Sequence, residues 1–323
     1  MAEIDQSIVL PAQMKLEQYT LTRVLSVGGF GVVYLAEDNE AGDMVAIKEF
    51  FPSAVAMRAD NGHDVMPQSE LDEDLFAAGL KCFFEEARLL STIKHPNVVN
   101  VRNFFRAHET VYMVMDYYDG HGLDKELMQL NGQMSERRIR TLFAHIAFGL
   151  REVHMKRMLH LDIKPANIYL PKYATPIILD FGAARQSVQV DGRHLVGMYT
   201  PGFAAPEQYR GTPVAQGPWT DVYALGATMY ASMARSTPVP ADRRAKEDKL
   251  VPAMERFAGS YSKELLMLVD GCMVMDIKHR IGSMNAVVKA LLTRPVAWGS
   301  AREKLEEPEE TGFLKKLFKG KGK

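Results

Sequence analysis

The chain has 323 residues, of which 47% are hydrophobic and 24% are charged. This composition is ordinary for a globular protein with a sizeable core, and it excludes a disordered or fibrous chain. With 39 basic against 40 acidic residues the net charge is −1, so we expect no general attraction to nucleic acid or to a membrane surface.

The two cysteines, Cys82 and Cys272, lie far apart in the sequence and match no metal-ligand spacing. We expect both to be free thiols in a reducing, cytoplasmic compartment. The first residues include Glu3 and Asp5 and lack a basic region before an apolar run, which is unlike a signal peptide. No apolar stretch has the length that a bilayer-spanning helix needs.

The first predicted elements are two strands joined by a glycine-rich turn. Residues 19–27 and 32–36 are rich in β-branched and aromatic residues, and they flank the turn Gly28-Gly29-Phe30-Gly31. Glycine permits positive φ and lets a backbone lie close to a phosphate. Taken alone, however, the turn indicates only an ordinary hairpin.

A third strand is predicted at residues 44–48, ending at Lys48, and a helix at residues 83–90. The chain between them is longer than a direct strand-to-helix connection needs. Residues 50–74 contain prolines, a glycine and an acidic cluster, which indicates an insertion. The simplest interpretation is a covering loop, and the alternative is a docking surface for a regulator.

Further along, residues 111–118 predict a strand that leads into a hinge. Ser135 is the expected N-cap of a core helix, because apolar residues follow it at helical spacing. These residues are Ile139, Leu142, Phe143, Ile146, Leu150 and Val153. Two short strands are predicted at residues 168–170 and 177–179.

Two segments beside these strands indicate the chemistry. They are residues 160–167, His-Leu-Asp-Ile-Lys-Pro-Ala-Asn, and residues 180–182, Asp-Phe-Gly. Phosphoryl transfer needs a carboxylate to orient a hydroxyl, oxygen ligands for Mg²⁺ and positive charge near the phosphate. Two acids, a lysine and an amide in these segments supply all three.

The same segments resemble the catalytic loop HRDxxxxN and the metal-binding turn DFG of the eukaryotic-type serine/threonine protein kinases, in particular their bacterial members. The resemblance runs from about Tyr19 to Arg294 and includes VAIK at residues 45–48 and APE at residues 205–207. It implies an α+β, two-lobed protein kinase fold, with a small antiparallel β-sheet lobe that contains helix C and a larger, mainly helical lobe.

The implied domain organisation has four parts. They are an N-terminal leader (1–17), the small lobe (18–118, with the insertion at about 50–74), the large lobe (119–294), and an acidic linker with a basic amphipathic tail (295–323).

By this resemblance Asp162 would accept or orient the proton of the substrate hydroxyl, and Lys164 would steady the γ-phosphate. Asn167 and Asp180 would hold Mg²⁺, with Mn²⁺ as an alternative, through oxygen ligands. Lys48 would contact the α- and β-phosphates of ATP.

A lysine among apolar strand residues is costly unless it is paired. Glu86 stands in the family's paired-acid position, and Glu85 is the rival partner of Lys48.

The resemblance also implies which residues surround the nucleotide. The family pattern GxGxxGxV places the turn over the phosphates, with Ser26 in place of the first glycine, and the hinge backbone would hydrogen-bond adenine. The implied residues are Ser26, Val27, Gly28, Gly29, Phe30, Gly31, Val33, Ala46, Lys48, Met115, Asp116, Tyr118 and Tyr169. Tyr169 replaces the usual aliphatic floor under adenine. Either it stacks there with its hydroxyl directed outward, or the local register differs.

Three charged residues are implied to be structural. Glu207 of the APE segment would be anchored by Arg280, and Asp221 would brace the catalytic loop. In the preceding activation segment, Thr200 and Gly202 belong to the part that would receive the residue after the substrate hydroxyl. Together with Lys164 in the catalytic loop, this part favours serine or threonine substrates over tyrosine.

The family's usual arginine before the catalytic aspartate is Leu161 here. In many members that arginine pairs with a phosphate on the activation segment, which a leucine cannot do. We therefore expect activity that does not depend on phosphorylation of this segment, for example at Ser187. The hydroxyl of Thr200 is better explained by a structural bond to the catalytic loop.

The predicted function is that of an ATP-dependent serine/threonine protein kinase that acts on protein substrates and phosphorylates itself. The alternatives are a pseudokinase that binds nucleotide as a scaffold and a small-molecule kinase of related fold. The tail, residues 312–323, combines four large apolar residues with five lysines. A solvated tail is its simplest interpretation, and peripheral membrane contact, a docking motif or autoinhibition are alternatives.

Overall fold

The computed structural model of the protein describes residues 7–130, 132–181, 189–190, 193–194, 199–209 and 215–293. The chain divides into one compact unit, residues 1–293, and a second unit, residues 294–323. Ser187 and the tail lie outside the described residues, so their roles stay predictions. Among the described helices, none is both long and apolar enough to cross a membrane.

The first lobe consists of a sheet, a hairpin and one long helix. In chain order its elements are β1 (Lys15–Leu16), β2 (Tyr19–Gly28), β3 (Gly31–Asp38), β4 (Asp43–Phe50), β5 (Ala56–Arg58), β6 (Val65–Pro67), α1 (Glu73–Leu90), β7 (Val101–Ala107) and β8 (Thr110–Asp116). Six strands form an antiparallel sheet in the order β1-β2-β3-β4-β8-β7, and β5 pairs with β6. The strands predicted at residues 19–27, 32–36 and 44–48 are confirmed, and each extends further than predicted.

The two faces of this sheet pack against different cores, because side chains alternate between faces along a strand. Val45, Ile47 and Glu49 of β4 are fully buried on one face. Leu10 and Leu16, which precede β2, are 3% and 2% exposed within the aromatic and aliphatic cluster on that side of the sheet. The segment that the sequence analysis separated as a leader therefore contributes to the core of the first lobe.

Helix α1 packs on the other face of the sheet. Its apolar residues recur at helical spacing and bury Phe76, Phe83 and Leu90, and the Phe83 ring lies 5.5 Å from the Phe50 ring of β4. The helix begins at Glu73, well before the predicted residues 83–90. The inserted region therefore contains the β5–β6 hairpin and ends where α1 begins.

The second lobe is mainly helical. Its elements are β9 (Gly120–Gly122), α2 (Leu123–Gln129), α3 (Glu136–Met155), β10 (Ile168–Pro171), β11 (Ile177–Ile178), β12 (Gln189–Val190), β13 (Arg193–His194), α4 (Pro218–Ala234), α5 (Ala241–Lys246), α6 (Ala253–Arg256), α7 (Lys263–Cys272) and α8 (Met284–Leu292).

Helices α3 and α4 provide much of the core of this lobe. The Ser135 side chain caps α3, as predicted, by accepting a hydrogen bond from the Arg138 backbone N–H. Residues 220–233 of α4 are buried without interruption. The two lobes together form the predicted α+β arrangement of a small sheet lobe and a larger, mainly helical lobe.

Candidate active site

A buried carboxylate on α4 holds the loop that contains Asp162. Asp221 is fully buried and accepts hydrogen bonds from the backbone N–H groups of His160, at 2.9 Å, and Leu161, at 2.8 Å. His154 Nε2 lies 2.7 Å from the same carboxylate. Burial raises the pKa of Asp221, but these hydrogen bonds and the nearby histidines outweigh burial and leave the pKa below its ordinary value. Asp221 is therefore ionised at neutral pH and fixes the backbone at His160 and Leu161.

Leu161 occupies its place through its backbone and its apolar side chain. The residue is 7% exposed and has a φ of 64°, a left-handed conformation that is unfavourable for leucine. Its N–H donates to Asp221, and its carbonyl accepts a 2.9 Å hydrogen bond from Gln208 Nε2. A buried aliphatic side chain thus stands where the family usually has an arginine.

Asp162, Lys164 and Thr200 form one hydrogen-bonded cluster. Lys164 Nζ lies 2.9 Å from Asp162 Oδ2 and 2.9 Å from Thr200 Oγ1. The Thr200 hydroxyl donates to Asp162 Oδ1 at 2.8 Å. Asp162 is 8% exposed, so its carboxylate is held in one orientation with little water around it. This places Thr200 in the structural bond to the catalytic loop that the sequence analysis favoured.

Asn167 connects this cluster to Asp180. The Asn167 amide nitrogen donates to the Asp162 carbonyl, at 2.7 Å, and approaches the Asp180 carbonyl at 3.4 Å. Because the nitrogen makes these bonds, the amide oxygen is the atom that could ligate a cation. Asp180 has a left-handed backbone, with φ 52°, and its side chain is 45% exposed.

These oxygen ligands fit Mg²⁺, which often takes one or two carboxylates and completes its shell with water and phosphate oxygens. Within the described ranges, no group of three or more His, Cys, Asp or Glu side chains forms a complete metal site. One carboxylate and one amide oxygen leave positions on such an ion for water and phosphate oxygens.

Lys48 projects from β4 toward this site. Its Nζ lies 2.8 Å from Asp180 Oδ1, so the two lobes meet through an ion pair. Glu86 is 6% exposed on α1, whereas Glu85 is 45% exposed in its side chain and pairs with Arg88. Burial therefore favours Glu86 over Glu85 as the acid for Lys48, and the Lys48–Glu86 pair itself stays a prediction.

The glycine-rich turn joins β2 and β3 as predicted, with Gly28 opposite Gly31 and Ser26 opposite Val33. A Cβ on Gly31 would lie 2.2 Å from the Glu49 carbonyl oxygen, so close packing against β4 requires glycine there. A Cβ on Gly28 would meet nothing closer than 3.8 Å, and a Cβ on Gly29 would meet nothing within 4 Å. The exposed backbone of the turn therefore has open space beside it, as a phosphate-binding loop needs.

The residues predicted to surround adenine belong to the sheet of the first lobe, the hinge and β10. Ala46 pairs with Met115 across β4 and β8, and Val33 pairs with Lys48. Tyr169 lies opposite Gly122 in the pairing of β10 with β9, and its hydroxyl donates a 3.1 Å hydrogen bond to the Tyr118 carbonyl. The Tyr169 hydroxyl is thus directed toward the hinge backbone, and the position of its ring under adenine stays a prediction.

The side chain of Asp116 makes several contacts at the start of the hinge. Its carboxylate accepts hydrogen bonds from Asn100, at 3.0 Å, and from the Tyr118 hydroxyl, at 3.2 Å, and it pairs with Arg102. Burial, followed by the charge of Asp116, raises the pKa of Tyr118 to about 12. The side chain of Asp116 thus orders the segment whose backbone is predicted to face adenine.

The end of the activation segment is anchored by a buried ion pair. Arg280 binds Glu207 through two contacts, of 2.7 and 3.1 Å, and both residues are 5% exposed. Thr220 also donates to Glu207, at 2.9 Å. Gly202 has a φ of 88°, and a Cβ there would lie 2.3 Å from a Thr237 methyl carbon. These contacts fix the backbone just after Thr200.

Sequence reasoning missed two residues that complete this arrangement, His154 and Gln208. His154 contacts an aspartate 67 positions away, and Gln208 contacts a carbonyl 47 positions away. Periodicity reports which face of a helix is buried, not which distant residue a polar side chain meets. The position of Gln208 directly after APE was the one available signal.

Comparison with known proteins relates most of the chain to protein kinases. The family model described as "Protein kinase domain" matches residues 19–292. Serine/threonine-protein kinase pkn2 of Myxococcus xanthus is 30% identical over 300 residues, which cover 85% of this chain and 32% of the relative. Serine/threonine-protein kinase PknD of Chlamydia pneumoniae is 30% identical over 268 residues, which cover 73% of this chain and 26% of the relative.

Among solved structures, "PpkA-294 apo form" has a TM-score of 0.78 and 32% sequence identity, and the match covers 88% of this chain and 100% of that chain. The kinase domain of Mycobacterium tuberculosis PknI has a TM-score of 0.63 at 20% identity, which is a likeness of fold. The chain spans about a third or less of the length of the curated relatives named above. With the family model matched over residues 19–292, the chain belongs to the protein kinase domain family.

Proposed function

We propose that the protein is a serine/threonine protein kinase that transfers the γ-phosphate of Mg-ATP to hydroxyl groups of proteins. The observation on which this rests is the cluster of Asp162, Lys164 and Thr200, with Asn167 and Asp180 beside it. The names of the curated relatives support the same class of acceptor.

In this proposal Asp162 positions the acceptor. Its two carboxylate oxygens each have a partner, which fixes the side chain, yet a carboxylate has further lone pairs for an incoming hydroxyl. That hydroxyl donates its hydrogen bond to Asp162, and the proton passes to the carboxylate as the hydroxyl oxygen bonds to the γ-phosphorus. The bond from that phosphorus to the β–γ bridging oxygen breaks at the same time, and ADP leaves. Lys164 Nζ, 2.9 Å from Asp162, places positive charge where the transferred phosphoryl group would lie.

Asn167 and Asp180 would hold Mg²⁺, and Lys48 would bind the phosphates that the glycine-rich turn covers. The metal ion would supply charge neutralisation on the phosphate oxygens. Lys48 and Asp180 form a pair in the protein itself, so each ligand group is already at the cleft. Preorganised charges of this kind need little rearrangement during reaction.

The acceptor class is tested with γ-labelled Mg-ATP offered together with a generic protein substrate and, separately, with small-molecule hydroxyl compounds. We expect transfer to protein and to the enzyme itself in the wild type, and loss of both in Asp162→Asn and Asp180→Ala. Wild-type transfer no greater than that of the two variants would favour a nucleotide-binding pseudokinase. Transfer confined to small molecules would favour a small-molecule kinase.

Activity independent of activation-segment phosphorylation is part of the proposal. Leu161 is an apolar, buried residue and provides no cation for a phosphate. We expect phosphatase-treated enzyme and Ser187→Ala to keep most of their activity in the labelled-ATP assay. Loss of most activity in either one would contradict this part.

A cytoplasmic location is proposed because both cysteines are free thiols. For the tail, contact with an anionic membrane is one of the alternatives. Cosedimentation with anionic liposomes would compare the full chain with a version that ends at Glu310, and equal binding would remove this alternative.

A further inference from the structure

A buried carboxylate lies on the face of β4 opposite to Lys48. Glu49, the next residue on β4, is fully buried. Its carboxylate accepts hydrogen bonds from the Tyr34 hydroxyl, at 2.8 Å, and the Tyr112 hydroxyl, at 2.9 Å. Arg58 completes the set with two contacts, Nη1 to Oε1 at 2.7 Å and Nη2 to Oε2 at 2.9 Å.

Two of these partners come from the strands on either side of β4. Tyr112 of β8 is the direct cross-strand partner of Glu49, and Tyr34 of β3 is paired with Ile47. Burial raises the pKa of both phenols, so they remain neutral donors to the carboxylate. Glu49 therefore ties three central strands together at the point where Lys48 leaves the opposite face.

Arg58 connects this point to the rest of the first lobe. It comes from β5 of the insertion, its side chain is 5% exposed, and its guanidinium lies 4.9 Å from the Phe51 ring centre. The same guanidinium donates to the His63 carbonyl, at 2.8 Å, and to the Ile8 carbonyl. One side chain thus joins the N-terminal segment, the inserted hairpin and the sheet.

The position of the insertion in the chain gives this contact its significance. The insertion begins where β4 ends, two residues after Lys48, and leads directly into α1, which contains Glu86. A carboxylate as buried as Glu49 is stable only when it is paired. If Arg58 were removed, the uncompensated charge would favour local opening between β4 and the insertion. The positions of β4, which carries Lys48, and of α1, which carries Glu86, would then be less fixed.

We propose that Arg58 is a positioning residue for Lys48, and that the insertion acts as a brace for the nucleotide site in addition to covering the lobe. The inference rests on the proposed function, because it assumes that Lys48 binds the phosphates of ATP. Arg58 acts through Glu49 and β4 and does not touch the nucleotide.

The test compares Arg58→Met, Arg58→Lys, Glu49→Gln and the double variant Arg58→Met/Glu49→Gln. Arg23→Met is the matched control, because Arg23 is exposed on β2 of the same sheet. Each protein is first shown to be folded by circular dichroism, and the dissociation constant for Mg-ATP and the KM and kcat are then measured. A structural covering role would lower the melting temperature without changing nucleotide affinity.

We expect Arg58→Met to weaken Mg-ATP binding by about tenfold while the control stays at the wild-type value. The double variant should recover much of this loss, because a neutral glutamine needs no cation and can still bond to the two tyrosines. Should Arg58→Met fail to fold, Arg58→Lys serves instead, since it keeps the charge and loses the two-point geometry.

If Arg58→Met, or Arg58→Lys in its place, folds and binds Mg-ATP with wild-type affinity, the inference is overturned. A wild-type protein that binds Mg-ATP but transfers no phosphate would overturn the proposed kinase activity and leave the role of Arg58 standing. A wild-type protein that binds no nucleotide would overturn both.

Discussion

Replacing Thr200 by valine tests the geometry of the catalytic cluster most directly. The change keeps the shape of the side chain and removes the hydroxyl, and with it the 2.8 Å bond to Asp162 and the 2.9 Å bond from Lys164. Hydrogen bonds to charged groups contribute about 1.5–3 kcal/mol each. Asp162 and Lys164 still contact each other directly at 2.9 Å, so we expect the loss to equal about one such bond rather than two.

A loss of about 1.5–3 kcal/mol in the transition state corresponds to a fall in kcat of about 10- to 150-fold. The assay is transfer of labelled phosphate to a protein substrate, with kcat and the KM for ATP measured separately. The KM for ATP should change little, because Lys164 keeps its direct contact with Asp162 when the Thr200 hydroxyl is removed. Thr200→Ser keeps the hydroxyl and should retain most of the activity. Thr92→Val removes a hydroxyl at the end of α1 and serves as the control.

Two results would refute this reasoning. A kcat of Thr200→Val close to the wild-type value would mean that the hydroxyl does not hold Asp162 during the reaction. If phosphatase treatment lowered the kcat of the wild type as much as Thr200→Val does, and left the kcat of Thr200→Val unchanged, Thr200 would be a phosphorylation site and not a structural contact.

Three further predictions concern stability and reactivity. Arg280→Met leaves the Glu207 carboxylate buried without its cation, so we expect about 3–5 kcal/mol of destabilisation and a melting temperature lower by about 5–8 °C. The double variant with Glu207→Gln should lose less, and an unchanged melting temperature in Arg280→Met would contradict this. Asp221 has a lowered pKa, so its contribution to stability is complete above about pH 4 and is lost as the pH falls through the folded-state pKa. The difference in urea midpoint between the wild type and Asp221→Asn should therefore shrink from pH 5 to pH 3. A constant difference would exclude this linkage. Burial raises the pKa of the Cys272 thiol to about 12, so a thiol reagent at pH 8 should modify Cys272 only after the protein unfolds. The half-buried Cys82 should be modified first. Rapid labelling of Cys272 in the native protein would contradict this prediction.

The sequence predicted the elements near the catalytic residues because each has a strong local signal. A glycine turn between β-branched runs determines a hairpin, and Ser135 before an apolar helical repeat determines the start of α3. The catalytic loop and the Asp-Phe-Gly turn were found by their resemblance to a family pattern. The contacts of the catalytic loop with Thr200 depend on a segment more than 30 residues away.

The partners of buried charges were harder to predict. Lys48 pairs with an aspartate 132 positions away, and no local pattern contains that distance. Glu49 did have a usable signal, because it occupies the same alternating face as Val45 and Ile47 and so had to be buried. A buried acid needs a cation, but the sequence alone could not identify Arg58 in the insertion as that cation.

The ion pair between Lys48 and Asp180 has a consequence for the order in which ligands can bind. A divalent cation that reaches Asp180 alone must compete with an ammonium group 2.8 Å away, and a nucleotide that reaches Lys48 alone separates that ammonium from its carboxylate. When cation and nucleotide arrive together, Asp180 replaces the Lys48 ammonium by the cation, and Lys48 replaces the Asp180 carboxylate by a phosphate. With the roles proposed for Lys48 and Asp180, we expect the pair to make the binding of metal and nucleotide cooperative, so that each raises the affinity of the protein for the other by the same factor.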